Sequence, residues 1–139
     1  MSQTVTVSRR LSATPEAAFD AWLDPALARR FLFATPDGEM VRAETDPRVG
    51  GAFTFTDRRP KHGEVEHVGR YLEVDRPRRL AFTVAVPAFD ARETTVAVAF
   101  APDGDGTLVT LTHQGVTDEH TEQTRAGWEA ILEASERSL

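Results

Sequence analysis

A chain of 139 residues, 40% hydrophobic and 27% charged, has the length of one domain able to bury a sizeable core, and no apolar run approaches the roughly 20 residues that cross a bilayer. A formal net charge of −6 opposes the phosphate neutralisation on which general nucleic-acid affinity depends, so no nucleic-acid partner is expected. The lack of cysteine removes disulfides, thiolate metal ligands and a cysteine nucleophile.

The N-terminal ten residues alternate polar and β-branched side chains without the apolar segment of a secretory signal, so a cytoplasmic location is the expectation. Val5 and Val7 against Thr4, Thr6 and Ser8 give the period of two of a first strand over 4–11. Thr14-Pro15-Glu16 then offers a capping hydroxyl, a ring that pre-sets the first helical φ and an acid near the positive end of the dipole, with Phe19, Trp22 and Leu23 as the buried face. Asp24-Pro25 repeats the capping pattern, predicting a second short helix over 25–31.

Six further strands are predicted over 40–45, 51–57, 65–74, 79–86, 93–101 and 107–114. Asp103-Gly104-Asp105-Gly106 and Arg76-Pro77 mark reversals between them, which favours sequential antiparallel pairing. Residues 118–139 form the one long amphipathic helix. Thr124, Gly127, Trp128, Ile131, Leu132, Ser135 and Leu139 share a face, while Glu122, Arg125, Glu129, Glu133 and Arg137 point away. The order β, α, α, six β, α in one domain over 1–139 makes the class α+β, with the sheet curling around the last helix. Gly50-Gly51 and Gly69 suit the bends that this requires.

That apolar stripe is too narrow to cover a sheet of six or seven strands, so a space between helix and sheet is expected. Its walls are predicted to be Phe19, Trp22, Phe31, Phe53, Tyr71, Phe82, Val96, Val98, Phe100, Val109, Leu111, Trp128 and Leu132. A dry pocket of ~300 Å³ would cost about 7 kcal/mol at ~24 cal/mol per Å³, so such a space should be small, wet or occupied.

Polar candidates for the space are few. Alternation places His113 with Val109 and Leu111, and His67 with Gly69 and Tyr71, so both imidazoles are expected to point inward. Glu93, beside Thr94 and Thr95, is a candidate polar contact, and His67, His113 and Glu93 are the acid–base candidates if the domain is an enzyme. Arg48, at a bend between strands, is a candidate clamp for a ligand carboxylate, against a salt bridge to Asp46 or Glu44. His62, His67, His113 and His120 show no metal-ligand spacing, and no Gly-x-Ser-x-Gly elbow or phosphate loop is present, so neither metal nor cofactor is expected.

Taken in order, Thr14-Pro15-Glu16 with Phe19, Trp22 and Asp24-Pro25 carries the first part of a family resemblance. Asp46-Pro47-Arg48-Val49-Gly50-Gly51 with Phe53, and His67, Gly69, Tyr71 and Glu73, carry the middle. Arg79-Leu80, Thr107 to Leu111 with His113, and Gly127-Trp128 with Leu132 complete it. The chain resembles the START-like (SRPBCC) superfamily and, within it, the homologues of the activator of heat-shock protein 90 ATPase. The resemblance implies a helix-grip fold and binding of a small hydrophobic molecule of lipid, aromatic or polyketide type. It also implies two alternatives, a cyclase, dehydratase or hydrolase, and a chaperone-contacting module; a homodimer is compatible with each. In Arg29-Arg30-Phe31-Leu32-Phe33 the chain departs from relatives that place paired tryptophans after the second helix.

Overall fold

The computed structural model describes residues 2–139, which leaves Met1 outside the described residues. Strand β1 (Ser2–Leu11) is followed by helices α1 (Pro15–Leu23) and α2 (Pro25–Ala28). Strands β2 (Glu39–Thr45), β3 (Ala52–Arg59), β4 (Gly63–Asp75), β5 (Arg79–Val86), β6 (Asp90–Asp103) and β7 (Gly106–Thr117) come next. A 3-10 turn (Asp118–His120) then leads into α3 (Thr121–Arg137).

All seven strands form one antiparallel sheet in the order β1-β7-β6-β5-β4-β3-β2. Sequential hairpins build β2 to β7, and β1 returns to lie beside β7, with Val7 opposite Leu111. The β6–β7 reversal is a two-residue turn closed by the Asp103–Gly106 pair, and Gly104 supplies the positive φ of 62° that such a turn demands. This is the expected helix-grip arrangement, with α3 lying closest to β1 and β7.

The helix starts are those of the sequence. Thr14 Oγ1 accepts from the Ala17 amide at 3.2 Å and Asp24 Oδ1 from the Ala26 amide at 2.9 Å, with Pro15 and Pro25 in the first turns. α2 is shorter than predicted because Phe31, Leu32 and Phe33 are all buried. Consecutive residues on a helix lie about 100° apart, so one helix cannot turn three in a row into the same core. The chain leaves the helix and Phe33 takes a φ of 60°, a conformation that costs a non-glycine residue about 1–2 kcal/mol.

The buried stripe of α3 is also narrower than predicted: Trp128, Leu132 and Ser135 are enclosed, and Thr124 and Ile131 are half-buried. Gly127 and Leu139 stand in solvent, correcting their assignment to the apolar face, and a Cβ on Gly127 would meet nothing. Arg125, expected to point away, is half-buried and donates from Nη1 to the Thr6 carbonyl at 3.0 Å, tying α3 to β1.

Gly69, opposite Phe53 in the β3–β4 ladder, lets the core close over the sheet. A Cβ there would collide with the Thr83 carbonyl and the Phe53 ring. Gly69→Ala is expected to lower the urea unfolding free energy by about 1–3 kcal/mol, and an unchanged midpoint would show that the neighbouring strand yields freely.

Candidate functional site

The interior between sheet and helices is filled by aromatic side chains. Trp22 stacks on Trp128 with centroids 6.4 Å apart and meets Phe31, Phe82 and Phe100 at 5.7, 6.5 and 6.4 Å. Phe53 packs at 5.5 Å against both Tyr71 and Phe82, and Phe19 at 5.4 Å against Phe100. Val96, Val98, Val109, Leu111 and Leu132 close the remaining surface, each at most 1% exposed. Thus these predicted walls are brought together, and their rings pack against one another.

The ring that completes this filling is Phe33. It lies parallel to His67 at 4.5 Å and to Phe53 at 6.2 Å, and meets Phe55 and Trp128 edge-on. Periodicity could not find it, because a loop residue has none. His67 points inward as expected, and its Nδ1 lies 3.3 Å from the Phe55 carbonyl, the distance of a donated hydrogen bond. Nearby Asp57 is fully buried, accepting at Oδ2 from Thr35 Oγ1 at 2.7 Å and from Arg59 Nε at 3.0 Å. Its other oxygen has no protein partner.

An apolar cleft of about 250 Å³ opens at one end of the grip, where the β5–β6 turn, the end of β7 and the start of α3 converge. Val84, Val86, Phe89 and Val116 give it apolar walls, Thr124 of α3 faces it, and Thr94 and His113 supply polar atoms. At the rim Arg92 pairs with Asp90 at 3.1 Å, and His120 Nδ1 lies 2.6 Å from Thr117 Oγ1. The Arg92 side chain holds the Asp90 carboxyl below its ordinary range.

The polar atoms form a directed chain. Trp128 Nε1–H donates to His113 Nδ1 at 2.9 Å. An indole nitrogen is only a donor, so Nδ1 must carry the lone pair and the neutral ring holds its proton on Nε2. That proton is shared with Thr94 Oγ1 at 2.6 Å, leaving the threonine hydrogen facing the Val84 carbonyl at 3.4 Å, a long contact. Burial lowers the His113 pKa to about 4, so the ring is neutral at pH 7.

The remaining candidates lie apart from the cleft. Glu93 is exposed on the opposite face of β6 from Thr94, where it accepts from Thr83 Oγ1 at 3.2 Å. Arg48 is exposed and bonds Asp46 at 2.9 Å, the alternative weighed against a ligand clamp. Among the described residues no cluster of three His, Asp or Glu is placed to hold a metal ion, and no helix is long and apolar enough to cross a membrane.

With that geometry in place, comparison with known proteins locates the chain. The family model described as activator of Hsp90 ATPase homolog 1-like protein matches residues 12–135. A protein of Chromobacterium violaceum is 27% identical over 96% of this chain and 94% of its own, with a TM-score of 0.87. An AHSA1-like protein of Aeromonas hydrophila is 27% identical over 98% and 91%, with a TM-score of 0.84. The Rhizobium loti protein Mll3558 is 26% identical over 100% and 98%, with a TM-score of 0.83. No curated protein matches in sequence.

Both interior histidines make stability depend on pH. Burial lowers the His67 pKa to about 4, as it does for His113, against about 6.5 in the unfolded chain. The unfolded state therefore takes up protons first. Their contribution is complete above pH 6.5 and is lost as pH falls toward 4, by up to about 1.4 kcal/mol per pH unit for each ring. Urea titrations between pH 7 and 4 should show this slope, and His67→Phe should remove roughly half of it; parallel wild-type and variant curves would refute the assignment.

Proposed function

We infer a function from two premises: the chain belongs to the activator of Hsp90 ATPase homolog 1-like family, and its fold leaves an apolar cleft where α3 meets the ends of β5, β6 and β7. It binds a small, largely apolar molecule in that cleft. The observation that carries this reading is the cleft itself, about 250 Å³ between mostly apolar walls that hold a part-buried chain of hydrogen bonds. Ligand pockets commonly run from ~300 to 1,000 Å³, so the guest is of one or two rings or a short acyl chain, and a long lipid would protrude.

An enzymatic role through His67, His113 and Glu93 has less support. His113 has no free lone pair in the tautomer that Trp128 imposes, so it is not poised as a general base toward Thr94. Glu93 is on the other face of the sheet. Contact with a chaperone rests on the family description alone, without a surface feature to carry it.

A thermal-shift series with naphthalene-, short-acyl- and polyketide-type probes tests the binding reading. A ligand at a hundred times its Kd stabilises by about 2.7 kcal/mol, a shift of several degrees for a domain of this size. Thr124→Trp, which places an indole in the cleft, is expected to abolish the shift. An equal shift in wild type and variant would put the site elsewhere, and no shift with any probe would remove the reading.

A further inference from the structure

We propose that the cleft selects a neutral hydrogen-bond acceptor, a ketone, ester or quinone oxygen, which is received by the hydroxyl of Thr94. This deepens the binding function proposed above and rests on it.

The direction of the hydrogen-bond chain sets the selectivity. It begins at Trp128, whose indole can only donate, and every later group inherits its direction: Nδ1 of His113 accepts, Nε2 donates, and Thr94 Oγ1 accepts. What remains at the end is one O–H hydrogen. Its protein acceptor, the Val84 carbonyl, is 3.4 Å away, close to the limit of a hydrogen bond and well beyond the usual O–H···O separation. Thr94 is therefore an under-used donor in a cleft whose walls are mostly apolar, with charged and polar groups at the rim.

A guest that only accepts satisfies it. A guest that only donates can reach just the second lone pair of Thr94 Oγ1, the first being engaged by His113 at 2.6 Å, and it leaves the hydroxyl hydrogen on its long contact to the Val84 carbonyl, an under-satisfied donor that is costly once water is excluded. A carboxylate would bring a full charge into an apolar cleft whose buried imidazole is neutral, while the rim cation Arg92 is engaged by Asp90. Trp128 acts here as a positioning residue, since through His113 it sets which way the Thr94 hydroxyl points without itself lining the cleft.

Acetophenone and isopropylbenzene share one shape and differ in the acceptor oxygen, so they serve as the probes. Calorimetric titration of wild type, Thr94→Val and Thr94→Ser compares each probe across the three proteins, which cancels its own cost of leaving water. Thr94→Val is expected to weaken acetophenone about threefold to tenfold and leave isopropylbenzene unchanged, and Thr94→Ser to restore acetophenone. In the nitrogen-15 spectrum of the histidine-labelled wild type, His113 should carry its proton on Nε2. Equal effects of Thr94→Val on the two probes, or a proton on Nδ1, would overturn the acceptor selectivity while leaving the cleft as a binding site. Failure of both probes to bind any of the proteins would remove the site and this selectivity together. Retained isopropylbenzene binding shows that the variants are folded.

Discussion

The indole of Trp128 is the contact on which the rest of the molecule turns. α3 presents a stripe only a few residues wide to a seven-stranded sheet, and one bicyclic side chain supplies most of its reach. Its faces and edges meet Trp22 from α1, Phe33 from the loop after α2 and His113 from β7. Three separate parts of the chain thus converge on one residue, and its nitrogen fixes a tautomer in the cleft while its ring closes the core. Stability and recognition meet in the same side chain, so a change at this position disturbs both.

The arrangement divides the space under the sheet into two zones. Toward β3 and β4 the rings of Phe33, Phe53, Phe55 and Tyr71 interlock. Toward the start of α3 the β5 ladder slips register between Val84 and Val86, and the apolar filling stops. Mixed polar and apolar groups line that end. An empty internal pocket would have weighed heavily against the marginal stability of a domain this size. Rings packed against one another in the interior, with a cleft at its mouth, keep that cost down.

Much of the fold was legible because it rests on local rules. The caps at Thr14 and Asp24, the alternation of Val96, Val98 and Phe100, and the turn at Gly104 follow from the chemistry of neighbouring residues. The inward turn of His67 and the Trp128 anchor could also be read from period alone. The cleft walls could not. Val84, Ala85 and Val86 are consecutive, and alternation forbids them a common side unless the strand slips by one residue, an event that no period announces. Phe33 was hidden for a related reason, since its place depends on a positive φ that a bulky residue ordinarily avoids. The predicted face of α3 was too broad at Gly127 because period shows which residues align and says nothing of how far the neighbouring strands reach.

The position of β1 has a consequence for how the molecule is made. Its one strand neighbour is β7, the last of the seven strands, and a side-chain hydrogen bond joins Gln3 of β1 to Asp118 of the turn that follows β7, across 115 positions. β1 is therefore made before the other six strands and cannot pair until β7, the last of the seven, has followed. An unpaired strand is a template for stray association. This one carries Thr4, Thr6 and Ser8 along one side and closes with Arg9 and Arg10, a composition suited to waiting in water.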